Sequence, residues 1–255
     1  MTVGADASSQ PLPPNAEPKP NPWQRITGVF FSPGETFASI ARRPDMTVPL
    51  VLIILATILI SIVIFLRVDY TAGVADNMPP NATAQQIEAG TKMAAMFGKI
   101  FTFAAPFFAV LGITIVAAIL LLAFRLMGGE GTFQQAFSVV TYASMPSVVK
   151  SIITAIIVLL RPGLGIQELE TVVRSGPAFL VEQKVHPVLF SFLGSLDLFT
   201  IWFVVLLIIG FAAVSQFSRA KSAAIILTLW AIAIVVKLGF VSLGVMMRNK
   251  AAAGS

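Results

Sequence analysis

The sequence predicts an all-α polytopic membrane protein with five transmembrane helices and an amphipathic interfacial helix before the first of them. Hydrophobic residues make up 56% of the 255 residues and charged residues only 11%, a balance outside the range of soluble domains. Five apolar runs are each long enough to cross a bilayer, which takes about 20 residues at 1.5 Å per residue.

The composition divides the chain into three regions. Residues 1–21 are rich in Pro, Ala and Ser and have no apolar periodicity, which predicts a disordered Pro-rich tail. Residues 22–247 are the five-helix membrane domain, and residues 248–255 are a short polar tail. The predicted spans run from about Val48 to Leu66, Ile100 to Leu126, Phe133 to Leu160, Val188 to Val214 and Ser222 to Met247.

A helix is predicted just before the first span. Ser32 is placed to be its N-cap, Pro33 its first helical residue, and Glu35 the partner that closes a capping box. Phe37 belongs to its apolar face, and the pair Arg42–Arg43 ends it, where cations favour the negative end of the helix dipole. An apolar face flanked by arginines is typical of a helix lying on the membrane surface.

Span three contains several polar groups that need partners. Ser147 and Ser151 belong, with two alanines, to a stripe of small residues at four-residue spacing, which lets a neighbouring helix approach closely. Pro146 removes one backbone hydrogen bond, which a nearby Ser or Thr side chain is expected to replace. The Tyr142 hydroxyl also lies within the span and needs a partner.

Three charges lie well inside the apolar runs: Lys150, Asp197 and Lys237. With spans that alternate in direction, all three fall at a similar depth, on the side opposite the amino terminus. An acid at that depth costs roughly 2.5–3.5 kcal/mol to insert, so it should face the interior and have a partner. We therefore expect a buried ionic cluster, which would act either as a structural lock between helices or as a relay for protons or ions.

Catalysis is not expected from this set of residues. Intramembrane aspartyl proteolysis needs two carboxylates, and only Asp197 qualifies. The single histidine, His186, lies at a span boundary, and no His-Glu-x-x-His motif is present. Cysteine is absent, and no ligand spacing for a metal or motif for a cofactor is found.

The charge pattern bears on partners and on orientation. The net charge of +5 is spread along the chain, which suits contact with lipid head groups and not with nucleic acid. Basic residues close to span ends favour a cytoplasmic amino terminus under the positive-inside rule. They are Arg42, Arg43, Arg125, Arg219 and Lys221.

At this point the chain resembles the Yip1-domain family of five-span membrane proteins, in particular its bacterial branch. The similarity covers about Trp23 to Met247, and its order of motifs is fairly specific. The matching pieces are Phe31 to Phe37, Thr132 to Phe133, Tyr142 to Pro146, Asp197 to Trp202, Gly210 and Ser218 to Lys221. The resemblance implies an all-helical five-span domain in the bacterial inner membrane, with its amino terminus in the cytoplasm.

Eukaryotic members of that family are associated with vesicle traffic and Rab-type GTPases. They have an Asp-Leu-Tyr-Gly-Pro motif near the amino terminus, which is missing here, and a Gly-Tyr pair, where this chain has Thr141 before Tyr142. GTPase binding is therefore not expected to carry over.

The expected function is a non-enzymatic membrane scaffold or adaptor that binds membrane lipids and other membrane proteins or a second copy of itself. The alternative is a subunit of a transporter or channel that uses the Asp/Lys cluster as a polar path. Against the alternative, the sequence shows neither an inverted repeat nor paired broken helices, and it has no second acid within the spans.

Overall fold

The computed structural model describes residues 21–253, apart from 76, 77, 79–81, 162, 166, 167, 170, 171, 174 and 184. The predicted disordered tail therefore lies outside the described residues except for Asn21. Residues 254 and 255 at the end of the predicted polar tail also lie outside them.

Within the described part of the chain the fold is helical, and the only β pairing is an isolated bridge between Asp69 and Gly165. The helices are α1 Pro22–Phe31, α2 Pro33–Arg42, α3 Thr47–Arg67, α4 Ala84–Leu126, α5 Phe133–Ala143, α6 Met145–Leu160, α7 Pro187–Gly194, α8 Leu198–Ser215 and α9 Arg219–Ala253, with a 3-10 turn at Pro177–Leu180.

The five predicted transmembrane segments are confirmed. Five helical segments are long and apolar enough to cross a membrane: Thr47–Arg67, Ala84–Leu126, Phe133–Leu160, Leu198–Ser215 and Arg219–Met247. Helix α9 continues beyond the last of these to Ala253, through residues predicted as a polar tail.

Two of the five runs are broken inside the bundle. Span three is divided at Ser144, so that α5 and α6 are separate helices. The run that begins near Val188 is divided at residues 195–197 into α7 and α8. Broken helices in a membrane are tolerated where neighbouring protein groups satisfy the freed backbone.

The segment before span one forms two short helices that pack into the bundle. Phe37 and Ile40 of α2 are fully buried among the residues of the main hydrophobic core. Gly210 of α8 allows this contact, because a Cβ there would lie 3.0 Å from Cδ1 of Phe37. Gln135 of α5 donates to the carbonyl oxygen of Ala41 at 2.6 Å, which fixes the other end of α2. The position of α2 at the membrane surface stays a prediction.

The start of α2 differs in detail from the expected capping box. Ser32 is the N-cap residue and Pro33 is in the first turn, but the Ser32 side chain makes no capping hydrogen bond. Ser32 also ends α1, with its N–H donating to Gly28 O at 2.7 Å, so its backbone angles are not those of an ordinary N-cap. Thr36 Oγ1 donates instead to Ser32 O at 2.9 Å.

Candidate functional site

The break in the fourth apolar run brings Asp197 next to Lys150 of span three. Lys150 Nζ of α6 lies 3.2 Å from Oδ1 of Asp197, which forms an ion pair between α6 and α8. The aspartate is buried, with 7% of its surface exposed, whereas about a third of the Lys150 side chain is exposed.

Asp197 is also the N-cap of α8. Its carboxylate accepts hydrogen bonds from the N–H groups of Phe199 at 3.1 Å and Thr200 at 3.4 Å, and from the Thr200 hydroxyl. The first turn of a helix has unpaired N–H donors and the positive end of the helix dipole. A carboxylate at this position therefore satisfies backbone donors and is itself stabilised as an anion.

A third part of the chain, a loop before α7, completes the surroundings of Asp197. The Leu198 N–H donates to Ser175 O at 3.0 Å, and the Ser175 hydroxyl lies 3.5 Å from Oδ1 of Asp197. Gly176 lies so close that an added Cβ would be 2.8 Å from the Cα of Asp197. The pair thus holds together α6, α8 and this loop.

Lys237, which the sequence placed in the same cluster, makes a neighbouring contact. It is an exposed residue of α9, and its Nζ donates to Ser191 O at 3.3 Å and to Ser195 Oγ at 3.4 Å. These acceptors lie at the carboxyl-terminal end of α7, where free carbonyls and the negative end of the dipole attract a cation. Among the described residues, the ion pair of Asp197 is with Lys150.

One helix break therefore creates two sites of opposite polarity. The amino-terminal end of α8 receives the carboxylate, and the carboxyl-terminal end of α7 receives the ammonium of Lys237. Sequence reasoning missed Ser175, Gly176 and Thr200, which lie around Asp197. An Asp before an apolar run is an N-cap signal that could have located the break.

Tyr142 and Pro146 lie at the break in span three. Tyr142 is fully buried, and its hydroxyl has no hydrogen-bond partner in the described part of the chain. The Arg25 guanidinium and the Asp45 carboxylate are close enough for their charges to act on it. Pro146 lies in the first turn of α6, where a missing N–H costs little because it would have no intrahelical acceptor. The helix has already been interrupted at Ser144.

Ser147 and Ser151 border a cavity between α3, α4 and α6. The cavity has a volume of about 190 Å³, and Ser144 and Thr57 also line it. Three of these four hydroxyls donate to carbonyls of their own helices: Ser144 to Val140, Ser151 to Ser147 and Thr57 to Ile53, at 2.7–2.9 Å. The cavity is therefore lined in part by hydroxyl groups, and none of its lining residues is charged.

Arg25 fixes the two pre-span helices to each other. It is buried, with 4% of its surface exposed. Its guanidinium donates to Ser39 O at 3.1 Å, Ser39 Oγ at 2.9 Å and Arg43 O at 3.0 Å. No pattern in the sequence predicts that a charged residue of α1 is enclosed in this way. Glu35 and Arg42, named with this segment, are exposed.

The contacts of the site are between helices and a loop of the same chain. In the part of the chain that the structure describes, no group of three or more His, Cys, Asp or Glu residues could hold a metal ion. The central acid is paired with a lysine, not with a second carboxylate. What the site does is connect helices.

Comparison with known proteins gives one family. A family model described as "Yip1 domain" matches residues 27–240. No curated protein and no solved structure matches the chain. The match covers α2 to α8, most of α9, and the residues Lys150, Asp197 and Lys237.

Proposed function

The chain belongs to the Yip1 domain family, and from this premise we propose that it is a non-enzymatic scaffold or adaptor of the membrane. It binds membrane lipids and other membrane proteins or a second copy of itself. We place it in a bacterial inner membrane with its amino terminus in the cytoplasm, which the basic residues near the span ends favour.

The observation that supports this proposal best is the environment of Asp197. Its carboxylate pairs with Lys150, caps α8 and contacts the loop at Ser175, so its contacts all lie within the fold. We infer that this ion pair, in which the aspartate is buried and the lysine partly exposed, determines which helices are neighbours more than it adds stability. This is the geometry of a structural lock, and a rigid bundle is what a scaffold requires.

Exposed aromatic side chains on α1 support a contact surface for partners. Trp23 is 58% exposed and Phe31 is 86% exposed, although α1 is held in place by the enclosed Arg25. Exposed aromatic side chains on a fixed element are typical of contact sites for lipid or protein. We assign adaptor contacts to this helix, without a role for GTPase binding.

A transporter or channel subunit is the second candidate. The two broken spans and the cavity lined by Ser144, Ser147 and Ser151 favour it, because transporters place substrate sites at discontinuous helices. The sequence predicts no paired broken helices, and the breaks observed in two of the apolar runs remove that reason to exclude transport. Asp197 is enclosed and paired with Lys150, and no second carboxylate lies beside it among the described residues, which still favours the scaffold.

The Asp197→Asn variant distinguishes the two functions. Asn caps a helix about as well as Asp, so this change removes the charge and leaves Lys150 unpaired. For a lock we expect a stability loss of about 1–3 kcal/mol, because the unpaired Lys150 is partly exposed, measured as a lower melting temperature of the purified protein in detergent. Liposomes containing the unchanged protein should show no proton or ion flux.

The matched control is Asp69→Asn, the same substitution in the loop after α3. Asp69 is exposed, and hydrogen bonds from the Thr71 hydroxyl at 2.7 Å and the Thr71 N–H at 2.8 Å lower the pKa of its carboxyl group. We expect this variant to melt close to the unchanged protein. A folded Asp197→Asn protein that has lost a flux present in the unchanged protein would establish transport instead.

Crosslinking in native membranes, followed by capture through a tag at the amino terminus and mass spectrometry, tests the scaffold directly. A reproducible membrane-protein partner that is lost when Trp23 and Phe31 are replaced by Ser supports the adaptor. Recovery of lipid and self-contacts alone, together with flux after reconstitution, would contradict it.

A further inference from the structure

An apolar groove lies on the outside of the bundle where α4, α8 and α9 meet. Its volume is about 380 Å³, and its lining side chains are all aliphatic or aromatic, including Leu120 of α4, Leu207 of α8 and Trp230 of α9. The α9 wall extends from Ile226 to Val236, about 15 Å along the helix axis. A groove of this length and polarity fits a hydrocarbon chain.

One end of this groove points to a corner rich in cations. Arg125 near the end of α4, together with Arg219 and Lys221 in the first turn of α9, is exposed there. Two exposed acids lie nearby: Glu130 in the adjoining loop, and Glu35 of α2, next to Gly34, where an added Cβ would lie 3.1 Å from Arg219 Nη2. The corner therefore has a net positive charge.

Hydrogen bonds hold two of these cations in position. Lys221 Nζ donates to Met127 O at 3.2 Å and lies 3.4 Å from the centroid of the Phe217 ring. Arg125 Nη2 donates to Gly131 O at 2.7 Å. Ammonium and guanidinium groups have three and five N–H donors, so both retain donors for a phosphate.

The spacing between the cations and the groove is the same on both helices. Ile226 follows Lys221 by five residues, and Leu120 precedes Arg125 by five, which corresponds to about 7.5 Å along each helix. This distance leaves room for the glycerol part of a phospholipid between a phosphate at the cations and an acyl chain in the groove.

We propose that this groove binds one anionic phospholipid, with an acyl chain between α4, α8 and α9 and its phosphate at Arg125 and Lys221. The net positive corner selects an anionic over a zwitterionic head group. The proposal deepens the lipid part of the proposed function and requires only membrane insertion. Its failure would leave the Asp197 test and the partner capture unaffected.

Trp230 provides the test, because it lines the groove. The chain has three tryptophans, so Trp23→Phe with Trp202→Phe leaves Trp230 as the reporter. This protein is reconstituted in phosphatidylcholine bilayers in which part of the lipid is brominated on its acyl chains, either as phosphatidylglycerol or as phosphatidylcholine. We expect the brominated anionic lipid to quench Trp230 more strongly, and added salt to reduce the difference by screening.

Arg125→Gln with Lys221→Gln should remove the preference, by about fivefold in relative affinity for each cation. Lys92→Gln with Lys99→Gln near the other end of α4 is the matched control and should keep it. Arg125→Lys with Lys221→Arg keeps the charges and should keep the preference even if packing changes. Equal quenching by the two lipids at low salt, quenching by neither, or a preference that survives loss of both cations would overturn the proposal.

Discussion

At the scale of single residues, the Asp197 carboxylate has two neighbours of positive character at once. One is the Lys150 ammonium at 3.2 Å. The other is the amino-terminal end of α8, whose N–H groups donate hydrogen bonds to the carboxylate. Together they offset the cost of burying an ionised acid, which neither would do as well alone. Gly176 allows the loop to close over this residue, because any side chain there would meet the Asp197 backbone.

The Gly176→Ala variant tests this closure. The added Cβ would lie 2.8 Å from the Cα of Asp197, so loop or helix must move, with an expected loss of about 1–3 kcal/mol in the free energy of unfolding. The measurement is thermal or denaturant unfolding in detergent. Gly239→Ala is the control, since nothing lies within 4 Å of a Cβ at that position. Equal stability of the two variants would show that the loop does not close on Asp197.

At the scale of helices, the features that depend on residues close in sequence can be predicted from the sequence. Capping boxes form between Thr83 and Gln86 and between Thr132 and Gln135, because each needs only residues three apart in sequence. The break at residues 195–197 was not predicted, since apolar residues on both sides form one continuous run. The contacts of Lys237 with α7 and of Asp197 with Ser175 join residues far apart in sequence, which no periodicity reports.

The pre-span helices show the same limit. The sequence predicts Phe37 on the apolar face of a helix that faces lipid. Phe37 is instead buried inside the protein, next to Gly210 of α8. A helix that faces lipid and a helix that faces protein can have the same spacing of apolar residues, so this spacing does not distinguish them. The burial of Arg25 depends on three acceptors in α2 and the segment after it, which the sequence does not bring together.

Arg25→Gln should loosen α1 from α2. Gln cannot reach all the acceptors that the guanidinium occupies, and hydrogen bonds from a charged group contribute about 1.5–3 kcal/mol each. We expect faster hydrogen exchange and earlier proteolysis in residues 22–43, with the rest of the bundle unchanged. Arg42→Gln on the exposed face of α2 is the control. If both variants exchange at the same rate, Arg25 does not hold the two helices together.

At the scale of the whole molecule, α9 differs from the other spans. Its apolar residues are mostly exposed, including Val235, Phe240 and Met247, and its contacts are with α7, α8 and α4 along one side. Exposed apolar surface of this extent is normal for a helix that faces lipid. The bundle is therefore closely packed around α5 and α8 and open towards lipid at α9.

Orientation is a property of the whole chain and can be measured with single cysteines, since the sequence has none. Gln24→Cys and Gln86→Cys are matched changes on the two sides of span one. With a cytoplasmic amino terminus, a membrane-impermeant maleimide added to intact cells should label position 86 and should label position 24 only after permeabilisation. The reverse pattern would invert the proposed topology.

Helix α4 begins well before its apolar run. Its first 16 residues, 84–99, extend it by about 24 Å. Transmembrane helices commonly tilt, and a tilt of about 10° would carry the tip of such an extension sideways by about 4 Å. If the bilayer begins near Ile100, as the sequence predicts, this extension lies outside it and its direction follows the tilt of the rest of α4. A partner bound at the exposed Met93 and Met96 would then move when α4 tilts, and its position would depend on the thickness of the membrane.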